Sequence, residues 1–236
     1  MSYNFQTAYL KSRRLGKISS KDKYKKILNN ALLYCFTPDK FARGRDIIDI
    51  VKSQINGGAD IIQLREKNLS DREKLSLALK LRKITLDSNT LLIINDDVDI
   101  AYFSNADGVH LGQSDIPVEY ARKLLKDKII GISTHNLKQF KIAQTMDVDY
   151  IAIGPIFPTQ TKENHEPIIG EENLRDILKY KKKKVVGIGG IKYENVEKVI
   201  KAGVDCAAVI SDIINSYNIE ERTRLFKEKI KKIISI

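Results

Sequence analysis

The stretch YIAIGPIFPTQTK, residues 150–162, decides the fold, because an apolar run of strand length breaks off at once into Gly, Pro, Thr and Lys. Its polar half gathers backbone N–H groups, hydroxyls and one ammonium at a single rim. Such a set suits an anionic, oxygen-rich ligand such as a phosphate or diphosphate, since hydroxyls and N–H groups donate while a lysine acts as a point charge. For this segment taken alone, a solvated loop is the alternative.

The same event recurs along the chain. Apolar residues 32–36 give way to Thr37-Pro38-Asp39, 91–94 to Asn95-Asp96-Asp97, and 108–111 to Gly112-Gln113-Ser114-Asp115. Residues 129–132 lead to Ser133-Thr134-His135, and 185–188 to Gly189-Gly190. With the runs at Ile61, Tyr150 and Cys206, the strand candidates number eight. Four of them are entered alike, through GGAD before Ile61, NAD before Gly108, VD before Tyr150 and GVD before Cys206. Gly or Asn after a helix, then a turn carboxylate, is the pattern of a short helix-to-strand return. Its repetition marks a weak internal repeat.

Helical periodicity fills the gaps. Ile47, Ile48, Val51 and Ile55 recur at spacings of three and four, and Ser70-x-x-Glu73 is a capping box opening the run through Leu75, Leu79 and Ile84. Val196, Val199 and Ile200 repeat the theme, as do Leu225, Ile230 and Ile233. Strands alternating with helices pair in parallel, because each return needs a crossover. Eight such units in 236 residues predict an α/β chain folded as a single-domain (β/α)8 TIM barrel with a short basic N-terminal extension. A doubly wound open sheet, which usually has fewer strands, is the alternative. The expected boundaries are 1–27 for the extension, flexible or loosely docked, and 28–236 for the catalytic barrel.

Composition narrows the setting. A chain of 236 residues at 42% hydrophobic can bury a large single core. Cys35 and Cys206 both fall inside expected strands and read as small buried residues in a reducing compartment. No apolar run approaches membrane-spanning length and no secretory apolar region is visible, so the expected location is cytoplasmic, without a membrane partner. The net charge of +11 is concentrated in residues 11–26, 181–184 and 227–232. Those runs hold no aromatic besides Tyr24 and fall on termini, helix faces and a turn, so a solvated surface is expected rather than a nucleic-acid footprint.

The chemistry shows where strand residues should be apolar and are not. The second strand runs IIQLREK, and alternation puts Gln63, Arg65 and Lys67 on one side. Two cations there require an anion, either a ligand or a neighbouring carboxylate, with Asp96 and Glu66 the candidates. Asp96 and Asp115 follow adjacent strands, and hard oxygen ligands in small number beside a phosphate rim suit Mg²⁺. Asp97 and Asp99 read as the opening of the next helix. The three histidines show no metal-ligand spacing; His110 reads as a packed or hydrogen-bonded strand residue and His165 as a loop residue. Gly189-Gly190 and Ile210-Ser211 follow the last two strands, where barrels often hold a phosphate; a plain Gly-rich turn is the alternative for the glycine pair.

The ordered set QLREK (63–67), NDDVDIA (95–101), GVHLGQSD (108–115), GISTH (131–135), GPIFPTQTK (154–162), GIGGI (187–191) and AVIS (208–211) closely resembles the thiamine phosphate synthase family, over most of the chain. The resemblance implies a barrel enzyme that joins a hydroxymethylpyrimidine diphosphate to a thiazole phosphate with release of diphosphate. Carried over by position, Gln63, Leu64, Arg65, Glu66, Lys67, Asn95, Ser133 and Lys162 would hold the pyrimidine diphosphate, with Arg65, Lys67, Ser133 and Lys162 taking the catalytic roles. Thr159, Gln160, Thr161, Gly190, Ile210 and Ser211 would hold the thiazole phosphate, and Asp96 and Asp115 the Mg²⁺. A thiazole tautomerase relative shares the barrel but makes no new bond, and Arg65, Asp96, Asp115 and Lys162 together argue against it. Small-molecule substrates are the expected partners, with a homo-oligomer compatible with the sequence.

Overall fold

A computed structural model describes residues 20–159 and 166–235. Eight parallel strands close into a barrel in sequence order. They are β1 (Leu33–Phe36), β2 (Ile61–Leu64), β3 (Leu91–Asn95), β4 (Gly108–Leu111), β5 (Ile129–Thr134), β6 (Tyr150–Ile153), β7 (Lys184–Ile188) and β8 (Cys206–Ala208). The pairing of Leu33 with Ala207 and Tyr34 with Ala208 joins β1 to β8, which removes the open-sheet alternative.

The helices are α1 (Ser20–Asn30), α2 (Ile47–Asn56), α3 (Asp71–Leu86), α4 (Val98–Phe103), α5 (Val118–Leu125), α6 (Leu137–Ala143), α7 (Gly170–Leu178), α8 (Val196–Lys201), α9 (Ser211–Ile214) and α10 (Ile219–Ile234). Ser70 opens α3 as the capping box the sequence predicts, bonding the Glu73 amide while Glu73 reaches back. Asp97 precedes α4 but does not cap it with its side chain; its carboxylate takes the Lys74 ammonium at 2.8 Å instead.

Alternation along each strand divides the core into two layers. Tyr34, Phe36, Ile61, Ile93, Tyr150, Val186 and Ala208 line the lumen, while Cys35, Ile62, Ile94, Ile151 and Ala207 pack outward against the helices. Both cysteines are buried and free.

The repeated turn carboxylates have a common structural role. Asp60, Asp107, Asp149 and Asp205 precede β2, β4, β6 and β8, and each turns back on the strand before it. Asp60 Oδ2 accepts from the Leu32 and Leu33 amides at 2.8 and 3.0 Å. Asp107 takes Leu92 N at 2.8 Å, Asp149 takes Ile130 N at 2.9 Å and Asp205 takes Val185 N at 2.8 Å. Each carboxylate also meets a cation: Lys227 at Asp60, Arg82 at Asp107 (2.9 Å), Arg122 at Asp149 (2.7 Å) and Lys181 at Asp205 (2.6 Å). Four ties of one design thus bind strand pairs at the amino-terminal rim.

Helix α1 lies across the same rim, with Leu28 buried and Tyr24 and Ile27 packed against the lumen cluster. Lys184 donates to Asn29 O at 3.0 Å, and the Lys128 ammonium stands 5.3 Å from the centre of the Tyr24 ring. The helix runs through the boundary expected between residues 27 and 28, and residues 1–19 lie outside the described residues. The basic run 181–184 departs from a merely solvated face: Lys181 ties Asp205, and burial pushes the Lys184 ammonium below its usual range.

Candidate active site

The carboxyl-terminal rim gathers most of the residues singled out from sequence. Gln63 points into the lumen and donates from Nε2 to Tyr34 Oη at 2.8 Å. Arg65 follows just beyond β2, buried to 9% exposure, and its Nη1 pairs with Asp39 Oδ2 at 3.1 Å. Neither Asp96 nor Glu66 is the partner; the carboxylate comes from the loop after β1. That loop is tied down twice more, by Arg65 N donating to Thr37 Oγ1 and Asp39 N donating to Glu66 Oε1, each at 2.9 Å. Burial raises the Glu66 carboxyl above its ordinary range. Leu64 sends its side chain into the outer core layer, so its backbone alone can meet a ligand.

Between the ends of β2 and β3 opens a cavity of about 160 Å³ whose walls include Arg65, exposed Lys67, Lys74, Asn95 and Asp96. Asp96 adopts a left-handed backbone, with φ of 62°, a conformation sparsely used outside glycine and concentrated at functional sites. Its amide donates to His110 O at 2.8 Å, which fixes the turn. Asp115 reaches over from the loop after β4, its Oδ2 accepting from Gly112 N at 2.6 Å. Burial and the adjacent Asp115 carboxyl push Asp96 up to about 6, with Lys67 opposing. Among the described residues no group of three or more His, Cys, Asp or Glu forms a ligand set. Two neighbouring carboxylates, one of them with its proton affinity raised, still suit one hard cation that completes its shell with phosphate and water.

Ser133, on β5, is held by His110: Nε2 lies 2.9 Å from Ser133 Oγ. His110 is therefore a hydrogen-bonded strand residue, as expected. On the other side of the rim the loop after β6 lies along the loop after β7, with Phe157 N donating to Gly189 O at 3.0 Å. Gly190 has φ of +64°, and a Cβ there would stand 2.4 Å from Pro158 O, so the approach admits only glycine. Thr159 follows that contact directly, while Ile210 and Ser211 form the neighbouring start of α9. Gln160, Thr161, Lys162 and His165 lie outside the described residues.

Sequence reading missed four side chains of this region. Asp39 stood in a polar cluster already marked, and the adjacency of β1 and β2 would have brought it to Arg65. Lys74 was hidden by helix phase. Tyr34 and Tyr150 pair across 116 residues of sequence, a contact no local pattern reveals.

Fold and rim together define a (β/α)8 barrel enzyme with clustered cations and paired carboxylates at its carboxyl end. The thiamine monophosphate synthase family profile matches residues 33–213. Thiamine-phosphate synthase from Dictyoglomus thermophilum is 44% identical over 193 residues, covering 81% of this chain and 86% of its own. That from Clostridium acetobutylicum is 44% identical over 201 residues, covering 85% and 95%. The solved thiamine phosphate pyrophosphorylase from Pyrococcus furiosus superposes with a TM-score of 0.81 at 33% identity, covering 88% of this chain and 99% of that one. The chain belongs to the thiamine monophosphate synthase family and is a transferase of thiamine biosynthesis. A likeness to 3-hexulose-6-phosphate synthase from Salmonella typhimurium, at 14% identity and a TM-score of 0.66, concerns the fold alone.

Proposed function

We propose that this protein joins 4-amino-5-hydroxymethyl-2-methylpyrimidine diphosphate to 4-methyl-5-(2-phosphooxyethyl)thiazole, giving thiamine phosphate and diphosphate. The observation that carries this reading is the meeting of Arg65, Lys67, Asn95 and Asp96 in one cavity, with Asp115 against Asp96. Diphosphate leaves readily once its growing negative charge is met, and preorganised cations supply that without reorganising. Arg65 offers a planar fork for phosphate oxygens, and Lys67 a mobile point charge. Asp96 and Asp115 would hold Mg²⁺, which when bound would neutralise phosphate oxygens and orient the leaving group. Lys162 would add a cation on the loop after β6. Thr159, Gln160, Thr161, Gly190, Ile210 and Ser211 would receive the thiazole phosphate through hydroxyls and backbone amides.

Bond formation asks for no protein nucleophile. An aminopyrimidine can delocalise the positive charge left when diphosphate departs, and the thiazole nitrogen supplies the electron pair for the new C–N bond. The chain's task is then to bind, orient and neutralise. Incubation with both substrates and Mg²⁺, followed by mass detection, is expected to yield thiamine phosphate, and excess EDTA to abolish it. Full turnover in EDTA would remove the metal from this account; no product in Mg²⁺ would overturn the reaction itself.

A further inference from the structure

Beneath the rim, Tyr34, Tyr150 and His110 place polar groups in a lumen where parallel strands ordinarily bring apolar ones. None of the roles above uses the two tyrosines. With Gln63 and Ser133 they form an unbroken hydrogen-bond chain drawn from five strands. Gln63 Nε2 meets Tyr34 Oη at 2.8 Å, Tyr34 Oη meets Tyr150 Oη at 3.0 Å, Tyr150 Oη meets His110 Nδ1 at 2.9 Å, and His110 Nε2 meets Ser133 Oγ at 2.9 Å. The rings are packed to hold this line. His110 stacks on Tyr150 with centroids 5.5 Å apart and planes 18° from parallel. Gly131 makes the space, since a Cβ there would lie 2.1 Å from the Tyr150 ring. Burial raises both phenols above their usual range, so each keeps its proton.

A phenol has one proton to give, and a neutral imidazole has one. With Gln63 donating to Tyr34, the arrangement that leaves no buried proton without an acceptor sends the Tyr34 proton to Tyr150 and the Tyr150 proton to His110 Nδ1. His110 then carries its proton on Nε2 and gives it to Ser133, whose own hydroxyl proton is left for a ligand. At the other end Gln63 Oε1, which accepts no hydrogen bond among the described residues, is left as an acceptor. Reversing one link leaves a buried phenol proton without an acceptor unless the other links reverse with it.

We propose that Tyr34, Tyr150 and His110 are positioning residues that lock the Gln63 amide with its oxygen towards the ligand, and thereby select an amino-substituted pyrimidine over its oxo-substituted counterpart. The selection rests on the substrate reading given above. An amino N–H meets Gln63 Oε1 as donor to acceptor, whereas an oxo group at that ring position sets two acceptors face to face. A site built around a buried hydrogen bond rejects an analogue that cannot make it by large factors.

Two measurements test this. In the unmodified protein, ¹⁵N resonances of the His110 ring are expected to show the Nε2–H tautomer; an Nδ1–H tautomer would mean the chain runs the other way and would overturn the proposal. The second compares kcat/KM for the aminopyrimidine diphosphate with that for the 4-oxo analogue. Tyr34→Phe cuts the link to Gln63 and frees the amide to rotate, so the preference for the amino substrate should fall by about tenfold or more, with KM for the thiazole phosphate unchanged. A preserved preference would make the relay mere packing. Should the unmodified protein form no product from the aminopyrimidine, the substrate reading fails and the selectivity with it, while the tautomer result stands by itself. The tautomer also decides the direction of the chain should Tyr34→Phe fail to fold.

Discussion

Asp96 concentrates the electrostatics of the rim in one carboxyl, held in a left-handed turn against Asp115 and raised to about 6 from an ordinary 3.8. With its pKa raised, the metal-free folded protein holds that proton more tightly than the unfolded chain does. The stabilisation is therefore present at low pH and lost as pH rises through about 6. A divalent cation competes for the same oxygens, so Mg²⁺ should raise the unfolding temperature near pH 7.5 and hardly at all near pH 5. Asp96→Asn should erase that difference, which a thermal melt at both pH values reads directly; equal Mg²⁺ shifts at the two would exclude this carboxyl as a ligand. Lys162 is argued from chemistry and position: Lys162→Ala should slow bond formation about tenfold or more, each factor of ten being about 1.4 kcal/mol of barrier. Thiazole phosphate binding should be little changed. A variant that loses thiazole binding but keeps its single-turnover rate would move Lys162 to the other half of the site. At this scale alternation made Gln63 and Arg65 legible, whereas the Arg65 partner was not, because Asp39 reaches it from another loop.

Among elements, the four Asp ties explain a pattern that sequence displayed without revealing its purpose. GGAD, NAD, VD and GVD read locally as helix-to-strand returns. Their second role, clamping the preceding strand and a cation, depends on partners such as Lys227, 167 residues from Asp60. Burial ranks the ties. Asp107 and Arg82 have side-chain exposures of 3% and 10%, whereas Asp205 and Lys181 have 32% and 28%. Asp107→Ala strands a buried guanidinium and should cost about 3–5 kcal/mol. The partly exposed pair contributes about 1 kcal/mol or less, and both variants lose the same kind of backbone bond. Asp205→Ala should therefore be milder by about 2 kcal/mol or more. Urea unfolding with matched slopes checks this, and equal losses would show that the backbone bonds, rather than the ion pairs, make the ties.

For the whole molecule, the eight-unit rhythm was enough to read the barrel, since each apolar run proved to be a strand. Charge was the less faithful guide: the basic run ending at Lys184 supplies an amino-rim tie and a contact to α1 as well as surface. The reach between distant strands, which builds the lumen chain, left no local trace because Tyr34, His110 and Tyr150 each sit in an unremarkable strand segment. The four Asp ties all lie at the amino ends of the strands, and the residues assigned to chemistry at the carboxyl ends. Closing the ring and choosing a substrate are thereby entrusted to opposite ends of the same strands. Descendants of such a chain can exchange, lengthen or reshape the loops after their strands, trying new reactions, while the circle of clamps inherited beneath them continues to hold the barrel shut.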